Sequence, residues 1–335
     1  MRPPGVSMTH RRRLAVLAFG AAAATALLPH AVQAQAWPSK PITIVAAYPA
    51  GGVADQMARV LATELSKRVG QPVTVENRVG ASGMIGANHV AKAAADGHTL
   101  LMGAMAEIVF TPHMHDKMAY RPEKDLEPVA MAVRFPFILV TNPSFPARSA
   151  REIVELARKS PNQYTYATGG NGSVQHLAME MFTRSAGIEL RHIPYKGVMP
   201  ALTDVLSNQV PMMFAGFPPA MPHVQAGKLN AIALTTKERL PVAPDVPSLA
   251  ETPGQEKYDF PVWVGLFAPA GTPSAVLDRL HRESVDIFST PAIRANIEKA
   301  GMTVSAEPRA EFASFIRSEY DKYRKVIRDA GIKDN

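Results

Sequence analysis

The sequence predicts two α/β domains, each a mainly parallel β-sheet flanked by helices, with a ligand cleft between them. Short β-branched runs alternate with segments of helical periodicity, which is typical of βαβ units. The order strand, Gly-rich turn, helix, strand occurs twice, at residues 42–76 and 164–193. The length of 335 residues, 47% of them hydrophobic and 19% charged, supports about two domains with large cores and excludes a disordered chain.

The first 36 residues predict a secretory signal peptide. Three consecutive arginines at 11–13 precede an apolar run at 14–28, and small residues ending in Ala34 and Ala36 suit signal peptidase. A transmembrane anchor is disfavoured because the 15 apolar residues fall short of the ~20 that span a bilayer. We therefore expect cleavage after Ala34 or Ala36 and export by the general or the twin-arginine route.

Removal of the signal peptide lowers the net charge of the chain. The whole chain has a formal net charge of +7, but Arg2 and the arginines at 11–13 leave with the signal peptide and no acidic residue does, so the mature chain carries +3. Nucleic-acid binding thereby loses its main support. The absence of cysteine excludes disulfides, thiolate metal sites and cysteine nucleophiles.

The first half of the mature chain predicts three strands. Residues 42–48 form the first strand, and residues 53–69 predict a helix because apolar side chains recur every three or four positions up to Gly70. Residues 72–76 predict the next strand. A turn from Gly80 to Gly83 opens a second helix through Ala95, and residues 99–102 predict a third strand before a loop at 103–107.

The second half repeats this order. Strands are predicted at 137–140, 164–167, 190–193, 212–214, 231–234 and 262–268. Ser149 and Glu152 predict a capping box, and Thr272 and Thr290 predict helix N-caps, each followed by proline. The chain after residue 268 is expected to be mostly helical.

The two Gly-rich turns predict an anion site. Gly51-Gly52 and the turn at 168–173 each feed a helix, where backbone N–H groups meet the positive end of the helix dipole. The alternative for each loop is a plain turn. The two loops occupy equivalent positions in the two strand–turn–helix units, however, and this favours ligand binding. Asn171 and Ser173 add side-chain donors, although Ser173 could instead cap its helix. Asp55 is expected to cap or brace its loop, and His176 to support its own loop or reach the ligand.

Motifs for nucleotide binding, serine hydrolysis and metal binding are incomplete or absent in the sequence. Neither loop completes a dinucleotide fingerprint, and no phosphate-binding P-loop or serine-hydrolase elbow occurs. His113, His115 and Asp116 could suggest a metal, but no third ligand is identifiable beyond the two imidazoles, so a solvated loop is favoured. No catalytic residue, metal site or cofactor is predicted.

The chain resembles the periplasmic solute-binding proteins of tripartite tricarboxylate transporters, the Bug family. The resemblance covers nearly the whole mature sequence. The motifs that carry it are Trp37-Pro-x-Lys40-Pro-Ile42, Tyr48-Pro-Ala-Gly-Gly52-x-x-Asp55, Gly70-Gln-Pro-Val73, Val75-Glu-Asn-Arg78, Gly80-Ala-x-Gly83, Asp96-Gly97-x-Thr99-Leu100-Leu101, Gly170-Asn-Gly-Ser173-x-x-His176-Leu177, Pro194-Tyr-Lys-Gly197, Pro200-Ala-Leu-Thr-Asp204, Ala226-Gly-Lys-Leu229, Asp245-Val-Pro247 and Ala268-Pro-Ala-Gly-Thr-Pro273.

The resemblance implies a two-domain binding protein of the Venus flytrap type that closes about a hinge. Domain 1 would comprise residues 37–138 plus 262–335, and domain 2 residues 139–261. It also implies a monomer in the periplasm that captures a di- or tricarboxylate, an acidic amino acid or an aromatic carboxylate and delivers it to integral membrane transporter subunits.

The same resemblance implies which residues bind. The ligand-binding loops would be Tyr48, Pro49, Ala50, Gly51, Gly52 and Val53, and Thr168, Gly169, Gly170, Asn171, Gly172 and Ser173. Asp55, His176 and Tyr195 would support these loops.

One position departs from the family. Where many members have Asp, Asn or Ser, this chain has Ala215-Gly216-Phe217, and Met105 would add to the same apolar wall. The departure favours a ligand with an apolar or aromatic body. Two other functions stay open: a sensory module that passes its closed state to a receptor, and a secreted α/β enzyme.

Overall fold

Two mixed β-sheets with flanking helices make up the structure. A computed structural model describes residues 37–115 and 117–331. The predicted signal peptide and Asp116 lie outside the described residues. The described residues from Lys40 onward belong to one compact unit.

The first sheet has six strands in the order β11-β4-β10-β3-β1-β2. Strand β1 runs parallel to β2 and β3, whereas β10 runs antiparallel to β3 and β4, and β11 antiparallel to β4. The bounds are β1 Ile42–Ala46, β2 Val73–Asn77, β3 Thr99–Ala104, β4 Leu126–Phe135, β10 Val262–Pro269 and β11 Thr303–Val304.

The second sheet has five strands in the order β7-β6-β8-β5-β9. Strand β6 is parallel to β7 and β8, and β5 is antiparallel to β8 and β9. The bounds are β5 Phe137–Thr141, β6 Thr165–Thr168, β7 Arg191–Pro194, β8 Met212–Gly216 and β9 Asn230–Leu234.

The α/β class is as predicted, but the sheets are mixed rather than mainly parallel. The parallel pairs β1–β2, β1–β3, β6–β7 and β6–β8 belong to the strand–turn–helix units, whose helices supply the crossover that a parallel pair requires. Strand β4 was missed by the sequence prediction. It leads into β5 through Pro136 alone, so the chain changes sheets there without a helix.

Eleven α-helices are described. Their bounds are α1 Val53–Val69, α2 Met84–Ala91, α3 Thr111–Met114, α4 Pro122–Asp125, α5 Ala150–Lys159, α6 Val174–Ala186, α7 Val198–Leu206, α8 Phe217–Gln225, α9 Ser274–Phe288, α10 Pro291–Lys299 and α11 Arg309–Ala330. In the described part of the chain, no helix combines the length and the apolar character needed to cross a bilayer.

Local signals fix most helix ends. Helix α1 ends at Gly70 in the left-handed region at φ 69°, as predicted. Ser149 Oγ accepts the Glu152 N–H at the start of α5, but the Glu152 carboxylate accepts from Arg148 N and not from Ser149 N, so only half of the predicted capping box forms. Helix α2 ends at Ala91, earlier than predicted. Between α2 and β3, the Asp96 carboxylate accepts the His98 N–H. Thr272 is not an N-cap: Pro273 holds that position, and the Thr272 hydroxyl donates to Pro269 O.

Thr235 joins the two places where the chain changes sheets. Its side chain is fully buried, and its Oγ1 accepts the Phe137 N–H at 2.9 Å and donates to Phe260 O at 2.9 Å. Its own N–H donates to Phe137 O, and its carbonyl accepts from Phe260 N. Four hydrogen bonds of one residue therefore hold the entry strand β5 to the segment that returns to β10.

Candidate functional site

The two Gly-rich loops occupy equivalent positions in the two sheets. Residues 47–52 connect β1 to α1, and residues 169–173 connect β6 to α6. Both β1 and β6 pair in parallel on both sides, so each loop leaves the carboxyl end of an interior parallel strand. Ligands of open α/β sheets bind at such ends.

The glycine amides of the first loop are engaged within the loop. The Gly51 N–H donates to Asp55 Oδ2 at 2.9 Å, and the Gly52 N–H donates to Pro49 O at 3.2 Å. Gly51 has φ +86°, a conformation that glycine adopts without strain. Gly52 is the N-cap of α1 and provides no side chain, so the N–H groups of Val53 and Ala54 receive no side-chain cap. These first-turn amides are the donors that α1 offers to an anion.

Asp55 holds this loop in place. It is 2% exposed, and its carboxylate accepts from Gly51 N, from Arg59 Nε at 2.9 Å and from Asn77 Nδ2 at 2.8 Å. Asn77 Nδ2 also contacts Tyr48 O at 3.0 Å, which links the loop to β2. Burial by itself would raise the pKa of Asp55, but the hydrogen bonds from Arg59, Gly51 and Asn77 lower it to about 2.

Replacing Asp55 is expected to loosen the loop. Asp55→Ala leaves the Gly51 N–H without its acceptor and removes one of the two acceptors of Asn77 Nδ2, so the free energy of unfolding should fall by about 2–3 kcal/mol. Because the folded-state pKa is depressed, this stabilisation is present above about pH 4 and is lost as the pH falls towards 2. Urea unfolding at several pH values measures both effects.

Glu155→Ala is the matched control for Asp55→Ala. Glu155 also pairs with an arginine one turn away, Arg151, but both side chains are exposed. Its removal should leave stability almost unchanged because solvent screens the pair. Equal losses in the two variants would contradict the bracing role of Asp55.

Tyr48 contacts a buried acid that the sequence did not reveal. The Tyr48 hydroxyl donates to Glu107 Oε2 at 2.6 Å, and the Ala104 N–H donates to Glu107 Oε1 at 2.7 Å. Glu107 is fully buried in the π-helical turn Ala106–Phe110 after β3. The only signal for it in the sequence is one charged residue in the otherwise apolar stretch of residues 104–110.

The second loop is closed by its own hydrogen bonds. Thr168 Oγ1 accepts the Gly170 N–H at 3.2 Å, and Ser173 N donates to Gly170 O. Ser173 Oγ accepts the His176 N–H and so caps α6, while the Gly172 N–H donates to His176 Nδ1 at 3.2 Å. Asn171 is exposed at the tip of the loop.

Two stacked imidazoles lie beneath this loop. The rings of His176 and His192 are 3.9 Å apart with an interplanar angle of 16°, and His192 also stacks on Tyr166. A hydrogen bond of 2.6 Å joins His192 Nε2 to Thr168 Oγ1. The pKa of each histidine is lowered to about 4, by burial in both cases and also by the neighbouring His176 in the case of His192, so both are neutral at pH 7. The sequence pointed to His176 but missed His192.

Tyr195 lies on the other side of the second loop. Its N–H donates to Thr168 O at 3.1 Å, and its hydroxyl donates to Asp204 Oδ2 at 2.6 Å. Gly197 N donates to Gly169 O, so the segment after β7 follows the loop closely.

Helix α3 brings the two loops into one neighbourhood. A Cβ placed on Gly172 would lie 2.8 Å from Met114 Sδ, so Met114 packs directly on the second loop. Helix α3 follows the turn that carries Glu107, which contacts Tyr48 of the first loop.

The residues of the expected apolar wall are buried or half-buried. Met105 is fully buried and Ala215 is 1% exposed. Gly216 is half-buried, ends β8 and is the N-cap of α8. Ala215 and Gly216 thus lie at the carboxyl end of β8, the strand beside β6.

The histidine pair at 113 and 115 does not form the expected solvated loop. His113 lies on α3, its Nε2 is 3.0 Å from Tyr320 O, and its ring packs edge-on against Tyr320 at 4.2 Å. Within the described ranges, no group of three or more acidic or histidine side chains is arranged to hold a metal ion.

Comparison with known proteins identifies the family. The sequence model described as "Tripartite tricarboxylate transporter family receptor" matches residues 57–332. The chain belongs to this receptor family. The resemblance seen in the sequence motifs is thereby confirmed.

Solved members of the receptor family share the fold. An R. palustris protein determined with adipate is 30% identical, with a TM-score of 0.81 over 89% of this chain and 99% of that one. MatC of Rhodopseudomonas palustris, determined with bound malate, is 30% identical, with a TM-score of 0.76 over 87% and 100%. The periplasmic binding protein BugD is 28% identical, with a TM-score of 0.78 over 89% and 100%. Family members are therefore solute-binding proteins, and two of these carry dicarboxylates.

Proposed function

We propose that this chain is a periplasmic receptor that captures a small carboxylate between its two Gly-rich loops and passes it to a tripartite tricarboxylate-type membrane transporter, without catalysis. The observation that carries the proposal is the matched placement of the loops, each at the carboxyl end of an interior parallel strand and at a helix N-terminus. Adipate and malate in two relatives support a carboxylate ligand.

The first-turn amides of α1 and α6 are the groups we assign to the carboxylate. Hydrogen bonds from backbone N–H groups to an ionised acceptor are stronger than those to a neutral one, and the dipole of each helix adds to them. Val53 and Val174 are the first helical residues after the two loops. The side chains that hold the loops, Asp55, His176 and Tyr195, act as supports.

The two sheets would close on the ligand by moving about the two segments where the chain passes from one sheet to the other. The sequence places the first boundary after residue 138, but β5 begins at Phe137 in the second sheet, so residues 37–136 with 262–335 would move as one domain and residues 137–261 as the other. The change of sheet falls at Pro136, near the first boundary. Enclosing the carboxylate removes water and strengthens its hydrogen bonds, and the closed form is the state that a transporter would recognise. Pull-down of membrane transporter subunits with and without ligand tests the delivery step.

Removing a single amide tests the assignment of the binding groups. Proline is tolerated at the first position of a helix but has no N–H, so Val53→Pro and Val174→Pro each delete one donor and keep the helix. We expect each to weaken carboxylate binding about 10- to 100-fold by calorimetry against a panel that includes adipate and malate.

Ala150→Pro makes the same change at the first position of α5, away from both loops, and should leave affinity unchanged. Unchanged affinity in both loop variants would contradict the amide site. Failure of every carboxylate in the panel to bind the wild-type protein would contradict the proposed function itself.

A further inference from the structure

Glu107 is a buried acid without a cationic partner among the described residues. It is fully buried between two glycines: a Cβ on Gly83 would lie 2.8 Å from its Oε2, and one on Gly103 would lie 3.2 Å from its Oε1. No lysine, arginine or histidine of the described chain forms an ion pair with it. Its carboxylate is stabilised by hydrogen bonds from the Tyr48 hydroxyl, the Ala104 N–H and its own backbone N–H. An unpaired buried carboxylate is costly, so such a group persists where it serves the protein.

The hydrogen bond between Tyr48 and Glu107 has a direction that protonation can reverse. The Tyr48 hydroxyl has one proton, which it donates to Oε2 at 2.6 Å when Glu107 is ionised, so its oxygen can then only accept from other groups. The Ala104 N–H occupies Oε1, so a proton added to Glu107 sits on Oε2 and is donated to Tyr48. The Tyr48 O–H is then released from Glu107 and can donate to another acceptor, either a ligand oxygen or Ser82 O, which lies 3.5 Å away.

We infer that Glu107 is a positioning residue whose protonation turns the Tyr48 hydroxyl into a donor, so that capture of a carboxylate in the adjacent loop is accompanied by uptake of a proton. This inference rests on the proposed function, because it takes the ligand to be an anion held by the loop that contains Tyr48. The receptor would thereby discriminate between ligands by their charge, because an anionic ligand disfavours the ionised form of Glu107 and favours its protonated form.

The charges around Glu107 agree with this coupling. Burial raises the pKa of Glu107 to about 7, although the hydrogen bonds from Tyr48 and Ala104 oppose the shift. Burial and the nearby Glu107 keep the pKa of Tyr48 far above its usual range, so Tyr48 remains a phenol. Tyr120 also faces Glu107, and its hydroxyl donates to Glu107 O at 2.7 Å.

The remaining elements around the turn bring no compensating charge to the carboxyl. Strand β3 and the turn Ala81–Gly83 carry no ionisable side chain. Helix α11 meets the same turn through Tyr323, which packs on Phe110 at 4.5 Å. The other titratable groups on the packed elements are His113 on α3, Glu123, Lys124 and Asp125 on α4, and Arg309, Glu311, Arg317, Glu319, Tyr320, Asp321, Lys322, Arg324, Lys325, Arg328 and Asp329 on α11.

Calorimetry in buffers of different ionisation enthalpy tests the inference. Adipate and malate should each be titrated into the wild-type protein between about pH 6 and pH 9. We expect little proton uptake at the acid end, where Glu107 is already neutral, and uptake approaching one proton per ligand above pH 7. The affinity should then fall by up to about tenfold for each pH unit above 7.

Two glutamine variants distinguish the specific role of Glu107 from the general effect of removing a buried acid. Glu107→Gln keeps the shape and a donor towards Tyr48, so it should bind without proton uptake and with a flat pH profile. Glu319→Gln is the matched control, because Glu319 is also a buried acid with a raised pKa but lies on α11. It should retain the wild-type coupling.

The outcomes are distinct. Binding to the wild-type protein without proton uptake, or unchanged uptake in Glu107→Gln, overturns the inference and leaves the proposed function standing. Absence of binding by any carboxylate overturns both. If Glu107→Gln does not fold, infrared difference spectra of the wild-type protein decide, because ligand should increase the band of a protonated carboxyl above pH 7.

Discussion

Thr235→Val should destabilise the protein by about 2–4 kcal/mol although valine is close to threonine in size and shape. The substitution removes Oγ1, which accepts the Phe137 N–H and donates to Phe260 O, and the site is fully buried. Each buried backbone group that loses its partner costs about 1–3 kcal/mol. Chemical unfolding of the two proteins under the same conditions measures the difference.

Thr236→Val provides the control for Thr235→Val. The neighbouring hydroxyl makes one hydrogen bond, to Glu238 O, in an exposed setting where water can replace it. Its loss should cost less than about 1 kcal/mol. If the two variants lost similar stability, Thr235 would not be the residue that joins the two crossovers. Thr235→Ser, which keeps the hydroxyl, should recover most of the difference.

Gly83→Ala should both destabilise the protein and separate Tyr48 from Glu107. The new Cβ would lie 2.8 Å from Cδ and Oε2 of Glu107 and 3.2 Å from the Tyr48 hydroxyl, at a residue with φ +92°. Backbone strain and overpacking each cost about 1–3 kcal/mol, so we expect a total near 3 kcal/mol. Because Tyr48 belongs to the first loop, carboxylate affinity should also fall about tenfold, the effect of one lost hydrogen bond.

Gly254→Ala isolates the backbone contribution. Gly254 has nearly the same conformation, φ +85°, but no atom lies within 4 Å of the Cβ position, and it is far along the chain from the loops. It should lose about 1–2 kcal/mol and retain full affinity. Comparable losses of stability and of affinity in the two variants would show that the contact with Glu107 is unimportant.

The strand–turn–helix units could be predicted because their signals are local. The β-branched run of β1, the apolar period of α1 and the stop at Gly70 all lie within one stretch of chain. The same holds for β6, its Gly-rich turn and α6. The mixed character of the sheets could not be predicted in this way. The direction of β10 depends on its pairing with β3 and β4, which lie more than a hundred residues earlier in the chain.

The loop residues were predictable, but their partners were not. Glycine patterns and the family motifs locate the residues at 48–53 and 168–173, and Asp55 and His176 follow them within one helical turn. Glu107 lies 59 residues from Tyr48, and His192 lies 24 residues from Thr168. Such pairs form only when strands far apart in the chain become neighbours, and strand β4 was missed because Pro128 and Arg134 interrupt its pattern.

The internal hydrogen bonds of the two loops have an entropic consequence. Gly51, Gly52, Gly170 and Gly172 would be among the most flexible residues in a free chain, yet each backbone N–H is already held by a neighbour in the same loop or helix. The conformational entropy of these glycines is therefore lost during folding and not during capture. Such a preorganised site loses little conformational entropy when it binds a small anion. More of the free energy of each hydrogen bond therefore contributes to the affinity.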